Sequence, residues 1–264
     1  MSTKKIAVCY TVKDEARLLP HAVKYHLAAG VSRIYVFLDG TTDNSRELIE
    51  DVIGVEVHRS APPTGGVDEP GWFGGVGLIW EGNFDARKRV NTFRAAQWAH
   101  AAGIEWLASI DPDELIIANS NDLVSIDLMD RLLRCVPENI DQILLRNLEL
   151  VPVVSESVNP FLDNVYFLNR FPRTELVFRY SSALARRLLR NSRLHAWFEH
   201  LFYKLRFLGT WPRLMRHPAT KSLIPSSYFL GYVNHKAIIR TNASDKYNFN
   251  IHRWGAFLSK PKSI

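Results

Sequence analysis

Apolar runs of two kinds alternate along the first half of the chain. KIAVCYTV, SRIYVFLD, GVEVHRS and IEWLASI are short apolar runs bounded by turn residues, and they read as strands. Between the first two, EARLLPHAVKYHLAAG sets Leu18, Leu19, Ala22, Val23 and Leu27 at helical spacing and ends on Gly30. GTTDNS reads as a turn and SRELIEDV as a short helix before the third strand. FDARKRVNTFRAAQWAHAAG reads as a long helix with Gly103 just past its end, leading into the fourth strand. Such a βαβαβ series predicts a parallel sheet flanked by helices, with ligands gathered at the carboxyl ends of the strands.

Those ends are acidic. The fourth strand runs out into SIDPDEL, which places Asp111, Asp113 and Glu114 together. Asp as a cap, Pro at the first helical position and Glu three residues after the cap would suit a helix start. The following LIIANSND is instead a β-type run ending in turn residues, so the carboxylates fall in a loop. TVKDE and LDGTTDNS bring Asp14, Glu15, Asp39 and Asp43 to the same rim. Singly, these are an acid in a first helical turn and a solvated Asx-type turn; together they outline a pocket.

The first strand carries no glycine fingerprint, and the chain has no P-loop, so phosphates have to be held by other means. Asp-x-Asp carrying Mn²⁺ or Mg²⁺ is the economical solution, because hard carboxylate oxygens suit these ions and the ion can bridge a diphosphate leaving group. With 264 residues and 47% hydrophobic content the chain can bury a substantial core, as one large domain or two small ones. IAVCYTV is too short for a signal sequence and no run approaches the length that crosses a bilayer. Cys9 and Cys135 supply neither a disulfide framework nor metal-ligand spacing, and the expected location is a reducing cytoplasm. A net charge of +6 favours an anionic partner without choosing it.

TVKDEARLLPHAVKYHLAAGVSRIYVFLDGTTDNS resembles the opening of the family 2-like and family 92 glycosyltransferases, in which a Lys-Asn-Glu segment, a helix and a strand leading into an Asn-Gly-Ser-Thr-Asp turn recur in this order. RVNTFRAAQWAHAAGIEWLASIDPDELI resembles that family's later segment, which ends in Asp-x-Asp-Glu-Phe. The likeness covers roughly residues 5 to 118 and implies a GT-A type nucleotide-diphospho-sugar transferase fold: α/β, a mainly parallel sheet flanked by helices, with a basic helical C-terminal part. Residues 1–125 would form the nucleotide-sugar half and 126–264 the acceptor half, within one compact domain.

By the same resemblance, Asp111 and Asp113 form the metal and sugar-nucleotide motif, with Asp113 the direct ligand and Asp111 nearer the ribose or sugar. Glu114 is a neighbouring substrate group, and Thr11, Glu15 and Asp39 line the nucleoside pocket. Asp14 and Asp39 stand where the family has Asn, and Leu115 where it has Phe. YVNHKAIIRTNASDKYNFNIHRW resembles the closing segment, so Lys236 and Arg240 are expected to meet the diphosphate and His252, rather than His235, to complete the metal site. The donor is then a nucleotide-diphosphate sugar, with a UDP-sugar favoured, and the acceptor a glycan, lipopolysaccharide or lipid-linked hydroxyl. Inversion at the anomeric carbon requires a carboxylate base. Glu149, Asp163, Glu175 and Glu199 are candidates, and Glu199 is the only acid between Ser181 and Lys221.

The stretch from about 181 to 221 interleaves arginines and lysines with Trp197, Phe198, Phe202, Tyr203, Phe207 and Trp211. It reads equally as a helix lying peripherally on an anionic membrane or as an amphipathic helix packed on the sheet. The Gly- and Pro-rich loop from Ala61 to Asn83 has the length of a lid, with Trp72, Phe73 and Trp80 as aromatics that could stack on a sugar. Two other functions compete. A metal-dependent nucleotidyltransferase would carry a glycine-rich signature after the first strand. A non-enzymatic membrane or nucleic-acid binder would not explain an acidic rim, and nucleic acid is not expected as a partner.

Overall fold

In the computed structural model the chain separates into two units, residues 1–146 with 234–264 and residues 147–233. The structure describes residues 5–66, 69–117, 127–151, 159–163, 166–168, 214–216, 220–225, 235–250 and 252–256, with isolated positions between 180 and 201.

The first unit begins with β1 (Ile6–Val12), α1 (Leu19–Ala28), β2 (Arg33–Leu38), β3 (Val55–Arg59), the short helix α2 (Trp72–Gly77), the long helix α3 (Phe84–Ala101) and β4 (Trp106–Ser109). It continues with α4 (Leu128–Arg134) and β5 (Gln142–Leu145). In the second unit, β6 (Glu149–Val151) pairs antiparallel with β7 (Tyr166–Leu168) across the turn of helix α5 (Pro160–Asp163), and β8 (Leu214–Arg216) pairs with β9 (Leu223–Pro225). The chain then returns to the first unit with β10 (Lys236–Arg240), a 3₁₀ turn over Thr241–Lys246, and a hairpin of β11 (Tyr247–Asn250) and β12 (Arg253–Ala256).

The sheet order is β3-β2-β1-β4-β10-β5, with β1 to β4 mutually parallel and β10 antiparallel to both of its neighbours. This is the mainly parallel α/β sheet expected from the strand and helix alternation. Every residue of β1 is buried, as in a central strand covered on both faces. The core of the unit includes the fully buried Tyr10, Tyr35, Phe37, Trp106, Phe249 and Trp254, each contributing roughly 1.5–3 kcal/mol of hydrophobic stabilisation.

Both main helices end as their glycines indicate. Gly30 and Gly103 have φ of 95° and 68°, and the amides of Val31 and Ile104 reach back to His26 and Ala99, as in a Schellman close. α3 starts at Asn83, whose side chain accepts from the Ala86 amide at 3.0 Å.

Three local expectations are corrected. SRELIEDV is a series of turns rather than a helix: its amides alternate between three- and four-residue bonds, and buried Ile49 anchors a segment too short to propagate a helix. The part of LIIANSND that is described, residues 115–117, is irregular rather than a strand. The loop from Ala61 to Asn83 contains α2 and is tied down. Phe73 and Trp80 are buried in the core, the Glu69 carboxylate accepts from the Thr64 and Gly65 amides, and Arg94 donates to the carbonyls of Ala61 and Pro62. No helix among the described residues is long and apolar enough to cross a membrane.

Candidate functional site

The topology brings one set of chain ends together. β1, β2 and β4 end at the same rim because they are parallel. α3, which leads back from that rim to the start of β4, presents its first turns there. β10 runs the other way, so its first residue lies at the rim; its register of Ile238 with Ala108 and Arg240 with Trp106 puts Lys236 level with Ile110. The hairpin pairs Asn250 with Arg253, which sets His252 at its turn. It is held to the rest of the unit by Arg89, whose guanidinium donates to the Phe249 carbonyl and the Asn248 side chain, and by the Trp254 amide, which donates to Gln142.

These elements enclose a cavity of about 420 Å³ lined by Thr11, Val12, Lys13, Glu15, Leu18, Phe84, Asp85, Lys88, Asp111, Pro112, Asp113 and His252. Of the residues expected at the site, Thr11, Glu15, Asp111, Asp113 and His252 therefore share one space. Glu114 and Lys236 join it through Asp111. Glu199 and Glu175 lie outside the described residues, and Asp163 is exposed in the second unit. Asp39 is not among the lining residues: it is buried, and both of its carboxylate oxygens accept from Arg87 Nε at 2.8 Å, while Arg87 also donates to the Trp80 and Glu81 carbonyls. Arg240 serves the framework, lying 4.2 Å over the Trp106 ring and donating to the carbonyls of Ile140 and Pro137. His235 is exposed.

At the centre is SIDPDEL. It forms one tight turn in which the Glu114 amide donates to the Asp111 carbonyl and the Glu114 carboxylate accepts from the Asp111 amide at 2.9 Å. This is the backward reach of a capping box without a helix after it. The Asp111 side chain is thereby left for other partners. Lys88 Nζ from α3 donates to one of its oxygens, and Lys236 Nζ from β10 to the other at 2.6 Å, with Lys236 also 3.0 Å from Glu114. Both lysine side chains are nearly inaccessible, at 5% and 6% exposure, while those of Asp111 and Glu114 are partly exposed, so the cluster is a charge-balanced set of two buried ammonium groups and two carboxylates at the cavity wall.

Charge sets the protonation preferences. Burial raises the Asp111 carboxyl, but Lys88 and Lys236 outweigh it and hold the group below the usual carboxylate value. Asp113 has no such partner among the described residues: desolvation, then the Asp111 charge, push it up. Glu15 is raised by desolvation and by the charges of Asp113, Asp43 and Asp111. Glu114 is raised by burial despite Lys236. Burial and the two lysines lower His252, which keeps its imidazole neutral, and its buried Nδ1 has no hydrogen-bond partner among the described residues.

Among the described residues no three His, Cys, Asp or Glu side chains gather into a metal cage. What the cavity offers is a carboxylate crowded by negative charge, Asp113, and a neutral imidazole with an orphaned nitrogen, His252. Mg²⁺ and Mn²⁺ at phosphate sites take only one or two protein carboxylates and fill their remaining positions with water and substrate oxygens. That donor pair fits such an ion, and the imidazole suits Mn²⁺ better than Mg²⁺.

The acidic loop at the end of β1 is braced against that of β2. Asp14, in the left-handed region at φ 54°, accepts from the Thr42 amide and hydroxyl and from the Asp43 amide; Asp43 accepts in return from the Ala16 and Ser45 amides, and Ser45 Oγ from the Glu15 amide. Asp and Asn share the ability to adopt that backbone and accept those bonds, which accounts for an Asp where the resembled family has Asn. Lys88, Asp85 and Lys13 are the site residues that the sequence pattern did not single out. A signal existed for Lys88: Ala99, Ala95, Asn91 or Thr92 and Lys88 form one helical stripe, and its small buried residues give way to buried polar ones toward the rim.

No family model matches the chain. A glycosyltransferase-like protein of Arabidopsis thaliana is 26% identical over an alignment of 186 residues that covers 63% of this chain and 39% of the plant protein's length. Solved structures with partial likeness include a mannosyltransferase of Pyrobaculum calidifontis bound to GDP-mannose and Mn²⁺, at 12% identity and a TM-score of 0.36, covering 55% of this chain and 36% of that one. Another is the glucosyl-3-phosphoglycerate synthase of Mycobacterium tuberculosis bound to UDP, at 14% identity and a TM-score of 0.36, covering 90% of this chain and 57% of that one.

Proposed function

We propose that this chain is a glycosyltransferase that moves a sugar from a nucleoside-diphosphate sugar to an acceptor hydroxyl. The observation that carries this reading is one cavity at the carboxyl ends of β1 and β4, where Asp113 and Glu15, carboxylates with no salt bridge among the described residues, and a histidine face buried lysines. The sequence likeness to the glycosyltransferase-like plant protein supports it.

Thr11 and Glu15, at the end of β1, are the nucleoside-side residues. Asp113 and His252 are the residues that would hold Mn²⁺ or Mg²⁺, which when bound supplies charge neutralisation for the departing diphosphate. Lys236, held at Asp111 and Glu114, adds positive charge at the same place. Displacement with inversion needs a base on the face opposite the diphosphate, and among Glu149, Asp163, Glu175 and Glu199 the sequence singles out Glu199 as the candidate. A UDP-sugar is the favoured donor, and a glycan or lipid-linked hydroxyl the acceptor. The exposed Leu184, Leu188 and Trp197 in a basic stretch support a peripheral contact with an anionic membrane on the cytoplasmic side.

Calorimetric titration of UDP, GDP and dTDP, with and without Mn²⁺, tests the reading. One nucleotide is expected to bind in a metal-dependent way, and Asp113→Ala to weaken that binding at least tenfold. Binding of none of them to the wild type would refute a nucleotide-sugar site. Release of pyrophosphate from a nucleoside triphosphate and a sugar phosphate would show a nucleotidyltransferase instead.

A further inference from the structure

Two lysines meet at one carboxylate in this cavity, although one would suffice to neutralise it. Lys236 is engaged on two sides, by Asp111 and Glu114. Lys88 is not: its ammonium group has three N–H donors, and among the described residues its hydrogen-bond partner is Asp111. The Lys88 side chain is more than nine-tenths buried, yet it lines the cavity. A buried cation with spare donors facing an open space is held ready for an anion that arrives there, since leaving such donors unmatched is costly.

The charge count agrees. Lys88 and Lys236 are balanced by Asp111 and Glu114, so the cavity's remaining charges, Asp113, Glu15 and Asp85 against the exposed Lys13, sum to negative. A nucleoside diphosphate would meet net repulsion there unless a positive group came free or a cation bound. Asp111 is shared by two ammonium groups, so a phosphate oxygen can take over one of them while the other keeps the carboxylate paired. Lys88 comes from the start of α3 and reaches Asp111 across the cavity wall, which fixes its head group between the acidic loop and the space beside it.

We propose that Lys88 is a diphosphate-contacting residue of this site, and that Asp111 is a positioning residue that holds Lys88 and Lys236 in place and is not itself a metal ligand. This rests on the nucleotide-sugar reading above.

The test uses the nucleoside diphosphate that binds wild-type protein, its parent nucleoside, and Mn²⁺ followed by electron spin resonance. Lys88→Met is expected to weaken the diphosphate at least tenfold while leaving the nucleoside affinity within twofold. Asp111→Asn is expected to weaken the diphosphate severalfold while leaving Mn²⁺ binding unchanged, and Asp113→Asn to abolish Mn²⁺ binding. If Lys88→Met fails to fold by circular dichroism, Lys88→Arg carries the comparison: its forked guanidinium alters phosphate contacts and is expected to shift the diphosphate constant at least threefold with no shift for the nucleoside. Equal diphosphate affinity in wild type and the Lys88 variants, or loss of Mn²⁺ binding in Asp111→Asn, overturns the proposal and leaves the transferase reading standing. Absence of any diphosphate binding to the wild type overturns that reading, and this proposal with it.

Discussion

At the scale of single residues, the site is organised by which charges are matched. Asp111 and Asp113 are two positions apart, yet burial leaves one held ionised between lysines and the other raised by its neighbours. His26 shows the same principle away from the cavity. It is fully buried beneath the acidic loop, with Nε2 accepting from the Ile116 amide at 3.3 Å and Nδ1 within 2.7 Å of the Tyr10 hydroxyl and 2.9 Å of the Ala22 carbonyl. Its environment, chiefly desolvation, lowers its pKa to about 4 from an ordinary 6.5. The unfolded chain therefore takes up this proton first as the pH falls. The stabilisation is complete above pH 6.5 and is lost progressively down to about pH 4, on the order of 3 kcal/mol in all. Urea denaturation at pH 7 and pH 4.5 is expected to show a smaller acid-induced loss in His26→Gln than in the wild type; an equal loss would place the acid sensitivity elsewhere.

At the scale of elements, α3 carries the most consequence. Its first two turns supply Asp85 and Lys88 to the cavity, its middle supplies Asn91 to Thr11 and Ser60, and Thr92 and Ser109 share a hydrogen bond at 2.9 Å. Its start therefore sets the place of Lys88. Asn83→Ala removes the side-chain cap and is expected to lower stability by about 1 kcal/mol, measured by urea denaturation. An unchanged midpoint would mean that Arg87 and the packing of Trp80 fix the helix start without the cap.

At the scale of the whole molecule, the net charge of +6 is not spent in the cavity, whose lysines are matched by acids. The surplus is concentrated in the chain between 181 and 221, most of which lies outside the described residues. Tyr180, Leu184, Leu188 and Trp197 in or beside that stretch are exposed, between 58% and 75%. The protein is expected to sediment with phosphatidylserine-containing liposomes at low ionic strength and to be released at about 0.5 M salt, where the Debye length falls to a few ångströms. Binding that ignores salt would mean apolar contact alone; no sedimentation at low salt would remove the membrane from the functional picture.

The sequence by itself determined the order of the four parallel strands with α1 and α3, the helix ends at Gly30 and Gly103, and the gathering of acidic loops at one rim. These follow from local periodicity, from a left-handed position that glycine meets without strain, and from the topology that short connections impose. Local sequence overstated SRELIEDV, where a few apolar residues do not outweigh the cost of starting a regular element, and residues 115–117 are irregular rather than extended. Only the tertiary structure decided what the carboxylates face. Asp39 is tied to Arg87, and Asp111 lies between lysines brought from 23 residues before it and 125 after it. Asp113 is left without such a partner among the described residues. A carboxylate's chemistry depends on the charges within a few ångströms, and here those charges come from parts of the chain that only folding brings together.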